Sequence, residues 1–145
     1  MDSSRFVAPF VLQYTYKRSL GPVLSRFMTA LRDRRIEGVR ASDGRVLVPP
    51  SEYDPETGAP TGAPVEVGPE GAVVSWSWEP APRPNHPLQT PFAWALIKLD
   101  GADTDLLHAV DAPEGALAIG DRVRPRWREE RQGHITDIAC FERID

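Results

Sequence analysis

Ala72-Val73-Val74-Ser75-Trp76-Ser77-Trp78-Glu79 sets Ala72, Val74, Trp76 and Trp78 against Val73, Ser75, Ser77 and Glu79. A period of two sends successive side chains to opposite faces, so this stretch predicts a strand. Gly68-Pro69 supplies the turn before it. Downstream, Phe92 to Leu99 is apolar on both faces and predicts a central strand. Asp100-Gly101 is a turn signal, and Leu106 to Val110 is the hairpin partner beyond it. A loop with Pro113 and Gly115 leads to a strand over Asp121–Arg128, and Gln132-Gly133 turns into another over Ile135–Phe141. Five short antiparallel strands, tight turns and one long proline-rich loop, Pro80 to Pro91, are what a small Greek-key barrel of the OB type requires.

Upstream the pattern changes. Eleven of the fifteen prolines fall between Pro49 and Pro91, so no long helix crosses that stretch. Before it, Pro22 to Arg34 reads as a helix. Val23, Leu24, Phe27, Met28 and Leu31 share one face, and Ser25, Arg26, Thr29, Arg32 and Asp33 share the other. Pro22 suits the first turn, where its missing N–H costs nothing. Arg32, Arg34 and Arg35 sit at the end where the helix dipole favours cations. Phe6 to Tyr16 is apolar and aromatic without a clear period, and predicts an extended arm packed on the body.

The 145 residues suit one domain with an appendage and can bury a real core. With one cysteine, Cys140, an internal disulfide and a thiolate-rich metal site are both excluded. No run of 18 apolar residues exists, so no membrane-spanning helix is expected. The first ten residues show no basic segment followed by an apolar stretch, so the default expectation is a cytoplasmic protein. Net charge is −4, yet residues 1–45 carry nine basic side chains against four acidic ones, and residues 46–145 carry eight against seventeen. The basic front and acidic back either attract each other or face different surroundings. The acidic total argues against nucleic acid as a partner, because that binding needs a basic surface to displace counterions.

The segment between helix and barrel is too short for a domain and too patterned for a linker. Gly38-Val39-Arg40-Ala41-Ser42-Asp43-Gly44-Arg45-Val46-Leu47-Val48-Pro49-Pro50, followed by Asp54-Pro55-Glu56-Thr57-Gly58, resembles the rubredoxin-like zinc ribbon of the family long called domain of unknown function 35. In that family the pattern is Cys-x-x-Cys-Gly, a short strand ending in Pro-Pro, then Cys-Pro-x-Cys-Gly, placed after an N-terminal helix and before an OB barrel. Leu117-Ala118-Ile119-Gly120-Asp121-Arg122-Val123 also looks like that barrel's approach to its fourth strand. The resemblance implies a mainly β chain: an N-terminal helical arm over 1–37, a degenerate, metal-free ribbon over 38–64 and a five-stranded antiparallel OB-fold barrel over 65–145. The four cysteine positions of the family hold Arg40, Asp43, Asp54 and Thr57. Arginine is a cation and threonine a poor ligand, so two carboxylates remain, too few for a tetrahedral zinc site. No zinc or other cofactor is expected. Arg40 paired with Asp43 or Asp54 would replace the metal as a crosslink; otherwise all four are solvated loop residues.

Members of the family typically accompany thiolase-fold enzymes. The resemblance therefore implies a non-catalytic accessory subunit in a hetero-oligomer with a thiolase-superfamily protein, of the lipid-transfer-protein or aldolase type. It would help form or cover that enzyme's acyl-CoA site, in steroid side-chain or other lipid catabolism, with acyl-CoA as a possible ligand. Docking would use the basic arm and the prolines of Pro49–Pro64. Two other classes stay open: a single-stranded nucleic-acid-binding OB-fold protein, and a small free-standing acyl-CoA lyase or hydratase.

The residues themselves offer candidates for contact, none for catalysis. Arg122, Arg124, Arg126 and Arg128, spaced by two, project from one strand face, with Val123, Pro125 and Trp127 on the other. Such a row either grips phosphates of coenzyme A or an acidic partner, or is a solvated face offset by Glu129, Glu130 and Asp137. His86, in the loop Arg83-Pro84-Asn85-His86-Pro87, is a second candidate contact or an exposed loop residue. His108 reads as a packed strand residue and His134 as an exposed turn residue. Trp76, Trp78, Trp94 and Trp127 read as core rather than as a stacking platform, and Cys140 as a buried small residue. Glycine-rich phosphate loops, a serine nucleophile elbow and paired metal motifs are absent from the sequence.

Overall fold

A computed structural model describes residues 8–13 and 19–145. Helix α1 (Gly21–Arg32) carries proline in its first turn and buries Phe27, Ala30 and Leu31. Burying side chains the size of Phe27 and Leu31 contributes about 1.5–3 kcal/mol each. The helix stops at a left-handed residue, Arg34 (φ 59°), and the N–H groups of Arg35 and Arg34 cap the carbonyls of Ala30 and Leu31, each at 3.0 Å. Only part of the expected N-terminal arm lies among the described residues. There Phe10, Val11 and Leu12 are 85%, 78% and 65% exposed, so this part does not pack on the body as the sequence suggested.

Chain reversal leads into strand β1 (Ile36–Arg40), which is the centre of a three-stranded sheet. Strand β2 (Val46–Leu47) flanks it on one side and β3 (Pro64–Val67) on the other, both antiparallel. Gly38 allows this close packing, since a Cβ there would lie 2.6 Å from the Leu47 carbonyl oxygen. The free edge of β2 is stitched to the barrel. Val46 N–H donates to Asp103 Oδ2 at 2.8 Å, and Val48 N–H to Thr104 Oγ1 at 2.7 Å.

Strands β4 (Gly71–Glu79), β5 (Phe92–Leu99), β6 (Leu106–Asp111), β7 (Arg122–Trp127) and β8 (Ile138–Arg143) form a closed barrel in the order β4-β5-β6-β8-β7. The OB-type barrel predicted from the sequence is therefore present. Not every seam is antiparallel: β6 and β8 run parallel through Val110↔Phe141 and Asp111↔Glu142. The final strand also starts later than expected, at Ile138. Residues Ile135–Asp137 form a 3-10 turn, held because the Asp137 carboxylate accepts the N–H groups of Gln132 and Gly133, both at 2.8 Å, and of His134 at 3.2 Å.

Strand β4 departs from the strict alternation that its sequence predicts. Its register with β5 shifts between Val73 and Ser75, so Val74 is an extra residue. Before the bulge Val73 lies opposite buried Ile97, and after it Trp76 and Trp78 lie opposite buried Ala95 and Ala93. The bulge thus keeps Val73, Trp76 and Trp78 on one face, where strict alternation separates them. Only Gly71 and Ala72 also pair with β7, and Trp76, farther along, is 39% exposed. Trp78 and Trp127 pack partly buried against the main core, and Trp94 against a smaller cluster of Phe92, Ala109 and Cys140.

One apolar core runs through the whole body. Phe27 and Leu31 of the helix, Ile36, Val46, Val48 and Val67 of the ribbon, and Ile97, Val110 and Phe141 of the barrel belong to a single buried cluster. None of the helices among the described residues is long and apolar enough to cross a membrane.

Candidate functional site

Two tight turns hold Arg40, Asp43, Asp54 and Thr57, the positions expected to be degenerate ligand sites. In the first, Ala41 N–H donates to Arg45 O at 2.7 Å and Gly44 N–H to Ala41 O at 3.0 Å. In the second, Gly58 N–H donates to Asp54 O and Asp54 N–H to Ala59 O, both at 2.8 Å. The expected crosslink exists, but Arg45 forms it and not Arg40. Arg45 Nε donates to Asp43 Oδ2 at 2.6 Å, while Nη2 lies 3.2 Å from Asp54 Oδ1 and 3.4 Å from Glu56 Oε2. Arg40 points its guanidinium at the Gly44 carbonyl instead, and Thr57 Oγ1 accepts the Ala59 N–H. The hydrogen bond from Arg45 holds the Asp43 carboxyl below its ordinary range. A guanidinium between two carboxylates satisfies them by charge, and this donor set does not fit a tetrahedral zinc.

The arginine row on β7 is largely spoken for within the chain. Arg122 grips Asp100 with two hydrogen bonds of 2.8 and 2.5 Å and lies 3.6 Å from Glu70. Arg124 pairs with Glu142 at 3.2 Å, and Arg126 pairs with Glu142 at 2.9 Å and Asp111 at 3.0 Å. The compensating acids therefore come from β6, β8 and the turns before β4 and after β5, not from Glu129, Glu130 and Asp137. The Arg126 and Arg124 hydrogen bonds keep the Glu142 carboxyl below its ordinary range despite partial burial. Arg128, one residue beyond the strand, differs. Its Nε donates to the Thr136 carbonyl at 2.7 Å, and it has no carboxylate within ion-pair distance among the described residues.

The structure brings Arg128 together with His86. Both line a groove of about 390 Å³ on the barrel, with Trp94, Leu107, His108 and Ile138 among its other walls. The proline-rich loop is tied down for this role. Gln89 Nε2 donates to the carbonyls of Arg83, Pro84 and His86, and Arg83 N–H donates to His86 Nδ1 at 3.0 Å. The His86 ring stands edge-on to Phe92 and Trp94, with centroids 5.8 and 5.7 Å away. His108 is buried on β6 against Phe141, and Ala109 N–H donates to its Nδ1 at 2.8 Å. Burial pushes its pKa down to about 4. Sequence reasoning treated the two histidines separately. The signal that could have joined them is the pairing of the two hairpin strands: Trp94, facing His86, lies opposite Ala109, next to His108.

A second, smaller cleft of about 200 Å³ lies between α1 and β1, lined by Val23, Phe27, Gly38 and Pro50. Glu37 borders it, with one oxygen 3.3 Å from Arg26 and the other buried without a partner. Cys140 is wholly buried, and burial pushes its thiol up to about 11, which removes it as a nucleophile. His134 lies exposed and caps the 3-10 turn. Among the described residues no three His, Cys, Asp or Glu side chains are grouped to hold a metal ion.

Residues 64–128 match the family described as the ChsH2 C-terminal OB-fold domain. A crystal structure of a DUF35-family protein of unknown function from Sulfolobus solfataricus is similar, with 25% identity and a TM-score of 0.59 over 73% of this chain and 77% of that one. A chain of the Ltp2-ChsH2(DUF35) aldolase is similar in fold, with 22% identity and a TM-score of 0.62 over 88% of this chain and 98% of that one. No curated protein matches the sequence. Residues 64–128 thus match the ChsH2 C-terminal OB-fold model, and the chain as a whole is similar in fold to a DUF35-family structure.

Proposed function

We propose that this chain is the accessory subunit of a thiolase-like acyl-CoA aldolase, non-catalytic by itself and active in a hetero-oligomer. The observation that supports this reading is the extent of the likeness in fold: 98% of the chain from the Ltp2-ChsH2(DUF35) aldolase and 88% of this one are covered. The chemistry of the described residues is consistent with it. Neither histidine of the groove has a nucleophile or carboxylate as partner, and the lone thiol is inert.

Docking would use surfaces the fold leaves apolar and uncovered. Leu96 and Leu107 face each other across β5 and β6 on the barrel exterior, 36% and 59% exposed, and the bulged Val74 is 39% exposed. Exposed Pro49, Pro55, Pro60 and Pro64 offer a rigid apolar edge on the ribbon. In this position the subunit would wall or cover the partner's acyl-CoA channel, in steroid side-chain or other lipid breakdown in the cytoplasm. It would need neither zinc nor nucleic acid. The paired guanidiniums of β7 leave few free charges for a phosphate backbone, which supports the last point.

The test is reconstitution. Tagged chain is recovered from an extract of its own cells, the stoichiometric companion identified, and carbon–carbon cleavage of acyl-CoA substrates assayed for companion alone, chain alone and the pair. Activity confined to the pair supports the proposal. Turnover by this chain alone, or a companion unrelated to thiolases, would overturn it.

A further inference from the structure

The groove between the proline-rich loop and the barrel has a one-sided polarity. Its two imidazoles are fixed in the same tautomer by the backbone. A backbone N–H can only donate, so Arg83 N–H at 3.0 Å makes His86 Nδ1 a lone-pair acceptor, and Ala109 N–H at 2.8 Å does the same for His108 Nδ1. Each ring then carries its single N–H on Nε2. His108 stays neutral at pH 7, because burial holds its pKa near 4. It is 5% exposed, Nε2 has no hydrogen-bond partner among the described residues, and the residue lines the groove. Arg128 spends Nε on the Thr136 carbonyl, which leaves both terminal nitrogens available. No carboxylate side chain lines the groove, and its remaining walls are mainly Trp94, Leu107, Ile135, Ile138 and Ala139.

The two Nε2–H groups and the terminal nitrogens of Arg128, on walls that are apolar apart from Asn85 and Thr136, have no acceptor among the described residues. We infer that this groove is a binding site for a small organic carboxylate with an apolar body: the carboxylate oxygens take the His86 and His108 Nε2–H groups and the Arg128 guanidinium, and the body lies against Trp94, Leu107 and Ile138. The space of about 390 Å³ is of the size that holds a compact ring system. Arg128 selects an anion over a neutral carbonyl, since charge-assisted hydrogen bonds are about twice as strong as neutral ones. The inference does not rest on the proposed aldolase partner, because every contact comes from this chain, and Leu107 belongs both to this groove and to the docking face named above.

The test uses the full chain alone at pH 7.5, titrated with 2-naphthoate, its methyl ester and 2-naphthylmethylamine. Binding is followed by nuclear magnetic resonance of the imidazole nitrogens and backbone amides. Naphthoate is expected to shift the Nε2 signals of His86 and His108 and to bind at least about tenfold more tightly than ester or amine. Three variants probe the site. Arg128→Gln and Leu107→Asp change exposed residues, and His86→Phe keeps an aromatic ring against Trp94; each is expected to weaken naphthoate at least about tenfold with an unchanged amide spectrum elsewhere. Equal binding of acid and ester, shifts that map outside the groove, variants that bind like the parent, or no binding at all would overturn the inference. Because no partner enzyme is added, a negative result here leaves the reconstitution experiment untouched, and the reverse also holds.

Discussion

Ribbon and barrel are held by different physics although they share one core. The barrel's interior is apolar and continuous, with Val73, Ile97, Val110, Val123, Ile138 and Phe141 at 2% exposure or less. The knuckle end of the ribbon has only a small cluster, Val39, Ala41 and Leu47, with Val23 of the helix against it. Its turns are fixed instead by backbone hydrogen bonds and by one guanidinium serving Asp43, Asp54 and Glu56. A zinc ribbon gains its stability from metal binding, on the order of 10 kcal/mol or more. Here charge pairing and contact with the barrel hold the turns. A small sheet can thus keep its turns in place when a larger neighbour supplies part of its core.

The largest expected effect breaks the barrel side. Phe141→Ala empties the centre of the cluster and should cost about 3–5 kcal/mol, read as a fall in the urea midpoint that barrel and ribbon probes share. Acid should come next, and it acts first on the barrel. His108 has an ordinary pKa of 6.5 and a folded one of about 4. Between these values the unfolded chain binds a proton that the folded chain refuses, so stability falls with pH, by on the order of 3 kcal/mol over the interval. His108→Phe should flatten that limb in urea titrations run at successive pH values. A second loss should follow at lower pH. Burial alone would raise the Asp137 carboxyl, but its three backbone N–H donors outweigh that and depress it. Stability that a depressed carboxylate provides is complete above its unfolded pKa and disappears as pH falls through the folded one.

Ribbon changes should be smaller and local. Asp54 is 1% exposed and also accepts the Glu56 N–H at 2.9 Å, so Asp54→Ala should cost about 2 kcal/mol. The measurement that sharpens the contrast is amide hydrogen exchange: residues 40–60 should lose protection while β5 and β6 keep theirs. A zinc chelator should leave both patterns unchanged, and a ribbon that opened on chelation would contradict the guanidinium crosslink. The smallest effect belongs to the exposed arginines. Arg126→Gln removes two half-exposed ion pairs and should cost under about 1 kcal/mol, less still at high salt.

The barrel was legible because burial writes itself as alternation, and the helix because Val23, Phe27 and Leu31 recur at its period. What was illegible depended on single residues or on distant partners. The bulge at Val74 inserts one residue that no periodicity reports, and it moves both following tryptophans to the other face. Asp137 turns a stretch that reads as strand by collecting three N–H groups, a geometry that composition does not encode. At the ribbon, the cysteine positions drew attention to Arg40, whereas the crosslinking cation sits between them in sequence, at Arg45. On β7, Arg122, Arg124 and Arg126 are exposed at alternate positions, whereas Arg128 lies beyond the strand. The acids paired with those three are Glu70, Asp100, Asp111 and Glu142, and only strand order puts them there. The groove was missed because it joins a loop, a strand end and a turn that are far apart in the chain.

The parallel seam between β6 and β8 has a kinetic meaning. The antiparallel pairs β4–β5, β5–β6 and β7–β8 join strands consecutive in sequence, but Val110 and Phe141 meet only after β7 and the Asp137 turn have been threaded between them. The seam comprises two residue pairs, so it returns little for the long loop it closes. Closure of the hoop should therefore be a late event on the folding path, after the β4–β5–β6 meander. A conservative Phe141→Leu change should accelerate unfolding while leaving the folding rate nearly unaltered.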